Sequence, residues 1–317
     1  VPHRNQPLGI ALVVLSALCL IQNAGVSRVV LRAGLSPALL TTTRVTFTFL
    51  VLLGLAVLLR RTALVPPRGR LLLLMVLHGA VGVAALQWTY FVAIDRLPVS
   101  MALLLEYQAP VLVALWARLV QKEATHPRLW LGLALAVFGL ALATEVWKGA
   151  SFDTVGVLAG IGAALTFSAY FLIGEAGVAD LAPMRVLVWS FGVAAVCMNL
   201  FAPLTGLDRD LLDAQASMLG ALAHLHAPVW ALLAWIVLVG TLAPFGLFLL
   251  ALTRASATTV TTVAMLEPIG VTVLGWVWFG ETLGVVAVIG CFAVVAGIII
   301  AQSARAPHVE VEPPAIT

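Results

Sequence analysis

The chain has 317 residues, of which 62% are hydrophobic and 10% are charged. An ordinary soluble domain is about 45–50% apolar and about 25% charged, and 17 basic plus 14 acidic side chains are too few to coat a soluble molecule of this length. Composition therefore excludes a soluble enzyme, a nucleic-acid reader and a disordered protein, and it points to a polytopic helical membrane protein.

A membrane helix needs about 20 mostly apolar residues. Ten runs meet that requirement: 7–28, 36–59, 70–93, 97–120, 127–146, 154–176, 182–204, 227–251, 255–279 and 283–302. The first contains the apolar stretch from Leu8 to Val26 and reads as a span, because no small-residue cleavage site follows where a signal peptide would place one. Pro37, Pro98, Pro127 and Pro228 stand near span starts, where a missing N–H does little harm. Runs such as Leu71-Leu72-Leu73-Leu74 do not alternate, so a closed β-barrel is not expected. The longest connection, 205–227, carries Leu211, Met218, Leu222 and Leu225 near helical spacing. It reads as a short interfacial helix, with a plain loop as the alternative. Residues 303–317, with Pro307, Pro313 and Pro314, read as a disordered cytoplasmic tail.

Lysine and arginine placement sets orientation. With a cytoplasmic N-terminus, eleven basic residues fall inside, among them Arg60, Arg61, Arg68 and Arg70, and five fall outside: Arg28, Arg32, Arg96, Lys148 and Arg209. The expectation is a multi-pass protein of a bacterial-type inner membrane with both termini cytoplasmic.

The two halves of the chain repeat. At a constant offset of 158, Gly82 matches Gly240, Arg96 matches Arg254, Pro110 matches Pro268, Glu123 matches Glu281, Gly132 matches Gly290 and Gly139 matches Gly297. The opening parts align with a slip, Gly9 on Gly156 and Pro37 on Pro183. Residues 7–146 and 154–302 then form two units of five spans. Because five is odd, the second enters the membrane from the opposite side, as in the inverted repeats of many secondary transporters.

The residues around the matched prolines resemble a known family. Ala93-Ile94-Asp95-Arg96-Leu97-Pro98 with Leu105-Glu106-Tyr107-Gln108-Ala109-Pro110 is similar to the first EamA repeat of the drug/metabolite transporter superfamily. Leu266-Glu267-Pro268 with Gly280-Glu281-Thr282-Leu283 and Gly290 resembles the second. The segment around Glu106 is also similar to the threonine/homoserine exporter branch. The resemblance implies an all-α, ten-helix carrier of small metabolites, often directed outward.

Ionisable groups at membrane depth are costly and are functional candidates. Four stand out: Arg44, His78, Glu106 and Glu267. A rise of about 1.5 Å per residue places Arg44, Glu106 and Glu267 near one level, roughly 10–12 Å below the outer surface, with His78 lower. Two readings are open for Arg44, a structural counter-ion to Glu106 or Glu267 and a fork for a substrate carboxylate. Glu106 has no charged counterpart at the 158 offset, where Ala264 stands; it is a candidate for a substrate ammonium or a proton. The family resemblance assigns Glu267 to packing or gating, with a ligand or proton role as the alternative. His78 is either a proton relay or a donor to a neighbouring carbonyl.

Pro110 and Pro268 each remove one backbone bond in mid-span, and broken helices at matched positions point to a transport site. Pro244 adds a further break, with Thr241 nearby. Gln22, Asn23, Gln87, Trp88, Tyr107, Gln108, Tyr170 and Trp189 are neutral candidates for a cavity wall. Of these, Tyr107, Gln108, Trp88 and Tyr170 join Glu106, His78 and Arg44 as expected substrate contacts; Glu267, Pro110 and Pro268 are expected to couple or gate. Gly156 and Gly160 form a G-x-x-x-G that suits close packing within the monomer, or second a dimer face.

No P-loop, G-x-S-x-G or H-E-x-x-H occurs, so no enzyme, cofactor or metal site is expected. The His224-x-His226 pair lacks further ligands nearby. The expected partners are a small-molecule substrate and the lipid bilayer, with proton coupling open and a monomer or homodimer as the unit. The substrate reading is a zwitterionic amino acid, exported by alternating access. The runner-up is a lipophilic cationic drug exchanged for protons, with Glu106 as anion and aromatic walls.

Overall fold

The computed structural model describes residues 5–96, 99–143, 147, 153–280 and 284–303. Pro98, Lys148, Glu281, the end of the fifth expected span at 144–146 and the tail from 304 onward lie outside the described residues. The architecture is all-helical. We number the long rods α1 (Gln6–Arg32), α2 (Pro37–Leu59), α3 (Arg70–Leu77, continued through a π-helical stretch His78–Ala85 into Leu86–Arg96), α4 (Val99–Glu106 and Ala109–Leu119), α5 (Pro127–Ala143), α6 (Thr154–Asp180), α7 (Pro183–Phe201), α8 (Val229–Val237, a π-helical stretch Leu238–Leu242, then Ala243–Leu252), α9 (Ala257–Ala264 and Leu266–Phe279) and α10 (Val285–Ser303). Nine of these are long and apolar enough to cross a membrane; α5, at 17 described residues, is the shorter tenth.

Local chemistry sets several ends. Asn5, Ser36, Asp153 and Ser256 accept backbone N–H groups at the starts of α1, α2, α6 and α9, satisfying donors that a helix start leaves open. Gly280, with φ 68°, ends α9 in the left-handed conformation that glycine adopts without strain. The 205–227 connection departs from the expected interfacial helix. α-Helix is confined to Arg209–Asp213, with short 3-10 turns at Leu204–Gly206 and Gly220–Leu222, and an antiparallel hairpin forms, β1 (Gln215–Ser217) paired with β2 (His226–Pro228), Ala216 opposite Ala227. The Leu219 and Gly220 backbones turn through positive φ, which keeps an α-helix from running through this point. Leu58, Leu200, Val285 and Phe292 are all at least 70% exposed, as a belt facing lipid rather than water requires.

Four helix pairs join the two halves, and each runs antiparallel. On α1 and α8, Gly9 meets Ala255, Ser16 bonds the Pro244 carbonyl and Asn23 meets Gly240. On α3 and α6, Met75 meets Gly177, Gly82 meets Tyr170 and Thr89 meets Gly162. On α2 and α7, Thr42 bonds the Ala202 carbonyl, Asn199 bonds Thr46 and Phe49 meets Gly192. On α5 and α10, Gly132 lies against Gly297 and Ala301, and Gly139 against Gly290 and Val294. Exchanging the halves at offset 158 turns the Gly132–Gly297 contact into the Gly290–Gly139 contact. Equivalent helices in antiparallel contact are what an inverted repeat demands. Two further pairs, α4 with α6 and α1 with α9, run parallel, Leu105 on Gly160 and Ile21 on Gly270, again as equivalents. Gly160 of the G-x-x-x-G thus packs inside the monomer.

The irregularities obey the same symmetry. Helix α4 breaks at Tyr107-Gln108 and α9 at Met265, and Tyr107 plus 158 is 265. The π-helical stretches surround Gly82 and Gly240, another matched pair. The sequence marks the breaks through Pro110 and Pro268; it gives no sign of the widened turn around Gly82, where no proline stands.

Candidate functional site

A cavity of about 710 Å³ lies between the halves, walled by α1, α3, α4, α6, α8 and α9 and reached by Arg44 of α2. At one end it extends to exposed Arg28 and Arg32 near the close of α1 and to Phe279 near the close of α9. The Arg28 guanidinium sits 4.4 Å from the Phe279 ring centroid. At the other end Tyr170, Phe245 and Phe248 form an aromatic floor, backed by Phe171 and Phe191 with neighbouring centroids 5.2–5.5 Å apart. The Tyr170 hydroxyl donates to the Phe245 carbonyl at 3.1 Å, tying α6 to α8.

Arg44 is buried, and it is held by α8. Its Nε donates to Thr241 Oγ1 at 3.1 Å and its Nη2 to the Gly240 carbonyl at 3.2 Å. Proline explains the second bond. Pro244 has no N–H to return to the carbonyl four residues before it, which is that of Gly240, so the carbonyl is open to Arg44. Thr241 Oγ1 in turn donates to the Ile236 carbonyl within the widened turn. Among the described residues no carboxylate lies within ion-pair distance of Arg44; Arg96 does pair with Asp153, at 3.5 Å, between the end of α3 and the start of α6. The counter-ion reading of Arg44 is therefore not met by a direct contact.

Glu106 ends the first half of α4 and Glu267 begins the second half of α9, and both line the cavity. Glu267 accepts a 2.5 Å hydrogen bond from the Tyr107 hydroxyl. This bond joins the broken centre of one repeat to the broken centre of the other. Tyr107 is fully buried, its ring edge-on to Phe167.

Of the expected contacts, Arg44, Glu106, Tyr107, Tyr170 and Glu267 meet at this cavity. His78 does not line it. It is buried beneath the floor, with Nδ1 2.7 Å from Ser190 Oγ, Nε2 3.1 Å from the Tyr170 carbonyl and its ring stacked on Tyr170. Gln108 turns back onto its own helix, donating to the Leu104 carbonyl. Trp88 lies on the outer surface against Phe201. Pro110 and Pro268 are buried behind the wall, at the helix breaks. Of the neutral candidates, Asn23 and Gln87 line the cavity, whereas Gln22 is exposed and Trp189 donates to the Ala63 carbonyl. Tyr90 lines the cavity without having been singled out; it lies three residues after Gln87, on the same face of α3. Among the described residues no group of histidine, cysteine and carboxylate side chains could hold a metal, and Cys19, Cys197 and Cys291 are free thiols.

The profile of the EamA-like transporter family matches residues 7–144 and again 154–302. The threonine/homoserine exporter RhtA of Salmonella typhimurium strain LT2 is 26% identical over 227 residues, covering 70% of this chain and 69% of the exporter. RhtA of Escherichia coli K12 is 26% identical over 224 residues with the same coverage. An uncharacterized transporter of Bacillus subtilis, YwfM, is 24% identical over 232 residues and covers 73% of each chain. A solved crystal structure superposes with a TM-score of 0.75 at 17% identity, covering 93% of this chain and 96% of its own; it shows the same fold.

Proposed function

The chain belongs to the EamA-like transporter family, and from that premise we propose that it is a secondary carrier moving a zwitterionic amino acid out of the cell by alternating access. The observation that carries this reading is the cavity itself. It holds a buried guanidinium, Arg44, and two carboxylates, Glu106 and Glu267, without a direct ion pair between them among the described residues. A ligand with one ammonium and one carboxylate satisfies both signs. Glu106, whose symmetry counterpart is Ala264, takes the ammonium; the Arg44 fork, fixed by Thr241 and Gly240, takes the carboxylate. Similarity to exporters named for threonine and homoserine supports an amino-acid cargo.

Alternating access follows from the inverted repeat. With both termini cytoplasmic, as the basic residues suggest, the cavity mouth at Arg28 and Arg32 faces outward and the aromatic floor closes the inside. The Tyr107–Glu267 bond and the breaks before Pro110 and Pro268 lie where the halves would move against each other. The working unit is a monomer or a homodimer in a bacterial-type inner membrane. A second reading, proton-coupled export of lipophilic cations, draws on the two carboxylates beside Tyr90, Phe91, Phe167 and Tyr170.

Counterflow in proteoliposomes, with amino acids and cationic dyes offered to wild type and Glu106→Gln, separates the two. Amino-acid exchange that falls at least tenfold in Glu106→Gln is the expected result. Dye movement driven by a pH gradient, with no amino-acid exchange, selects the cation antiporter. Exchange indifferent to Glu106→Gln removes that residue from the site.

A further inference from the structure

All three tyrosines of the chain line the cavity. Two of them spend their hydroxyls on the protein, Tyr107 on Glu267 and Tyr170 on the Phe245 carbonyl. The third, Tyr90, has no hydrogen-bond partner for its hydroxyl among the described residues. Tyr90 is half-buried, and its oxygen, unlike the sealed amide of Gln87, opens into the cavity. Shared architecture explains the ring and not the hydroxyl. The position equivalent to Tyr90 at offset 158 is Phe248, an aromatic ring of the floor. One half places a bare ring where the other adds a phenol oxygen. That oxygen stands within electrostatic reach of Arg44, Glu106 and Glu267.

Building on the amino-acid reading above, the substrate ammonium has two carboxylates to choose from, Glu106 and Glu267, whereas the substrate carboxylate has Arg44 alone. A carboxylate offers about four acceptor sites. Arg44 already gives its Nε and one Nη2 hydrogen to Thr241 and Gly240, and a guanidinium meets a carboxylate through about two parallel bonds at best. Acceptor sites on the carboxylate are then left to satisfy. A phenol donor beside the guanidinium fills one without bringing a second positive charge out of water. We propose that Tyr90 is a specificity-determining residue that donates its hydroxyl to the substrate carboxylate beside Arg44, so that the carrier selects amino acids with a free carboxylate over their uncharged amides. A carboxamide keeps one acceptor oxygen and turns N–H donors toward the donors of the site, leaving polar groups of the wall unpaired, which is the strong form of discrimination.

The test is counterflow with the full-length carrier in proteoliposomes. The best-exchanged protein amino acid is paired with its own α-carboxamide, which keeps the ammonium and the side chain and removes the anionic charge. Wild type should favour the acid by about tenfold or more in kcat/KM. Tyr90→Phe keeps the ring and deletes only the oxygen. It should raise KM for the acid about tenfold, with kcat nearly level, and leave the amide within about twofold. The ligand-free melting temperature should not fall, because the hydroxyl bonds nothing in the protein. An unchanged KM for the acid overturns the inference while leaving amino-acid transport standing. Acid and amide weakened alike overturn it too, since Tyr90 would then serve the ammonium or the side chain. A variant that melts lower without ligand, or cannot be assembled, overturns it as well, because the hydroxyl would then be part of the scaffold. Wild type that exchanges dyes but no amino acid sinks the proposed function first and this inference with it.

Discussion

At the residue scale the cost of charge in a membrane is a good but incomplete guide. Arg44, Glu106 and Glu267 stand out in the sequence because each is expensive inside lipid, and the fold gathers them at one cavity. His78 is as expensive and stands out equally, yet it is consumed by Ser190 and the Tyr170 carbonyl below the floor. Desolvation does not distinguish a group bonded by the protein from one left open to a ligand; only the neighbours do. Two predictions belong here. Tyr107→Phe removes the donor to Glu267 and strands a carboxylate in the wall, so thermal unfolding in detergent should show a loss of about 1–3 kcal/mol. Glu267→Gln, which still accepts from Tyr107, should lose less; equal losses would mean that the carboxylate's charge counts as much as the bond. Arg44→Lys keeps the charge but gives up the planar fork that spans Thr241 and Gly240. Amino-acid exchange should drop at least tenfold while expression and folding hold, and unchanged exchange would assign Arg44 to packing.

At the scale of elements, backbone defects and small residues decide how helices meet. Pro244 frees the Gly240 carbonyl for Arg44. Pro244→Ala restores a competing N–H, and slower exchange with little loss of stability is the expected outcome in the same liposome assay. The α5–α10 seam depends on absent side chains. A Cβ on Gly139 would come within 2.6 Å of the Val294 backbone nitrogen, whereas one on Gly54 meets nothing within 4 Å. Gly139→Ala should therefore cost about 1–3 kcal/mol in thermal unfolding, as overpacking does. Gly54→Ala, inside α2, should be neutral or gain up to about 1 kcal/mol from reduced backbone freedom. Destabilisation by both alike would contradict the seam. The matched prolines and glycines of this level are visible in the sequence at the 158 offset. The hairpin that replaces the expected interfacial helix is not, because leucine spacing in a short polar stretch fits a turn of helix and a hairpin face equally well. That hairpin region abuts the end of α9, where the Trp278 Nε1 donates to the Met218 carbonyl at 2.9 Å.

At the scale of the whole molecule, one end is packed shut and the other holds the cavity mouth. Gly9 and Ala255 face each other near the shut end, with Cβ positions 2.9 Å apart before any relaxation, close enough for a disulfide after a small adjustment. In a background without Cys19, Cys197 and Cys291, the pair Gly9→Cys and Ala255→Cys should block exchange when oxidised and recover it on reduction. Exchange that persists through the cross-link would rule out opening between α1 and α8 at that end.

Composition alone placed this chain in the membrane, since so few charges cannot face water on every side. The repeat offset alone implied two inverted halves, because five spans reverse direction. Both conclusions need only counting, and counting survives without coordinates. Which polar groups share a cavity was settled by packing between helices far apart in the chain. Arg44 meets Gly240, Tyr107 meets Glu267 and His78 meets Ser190 across more than a hundred residues. Such contacts depend on helix rotation and crossing, and a nearly uniform apolar sequence encodes rotation weakly: when a helix touches lipid on one side and protein on the other, both faces are greasy. The tertiary structure therefore decided which of the costly side chains are spent beneath the floor and which line the cavity.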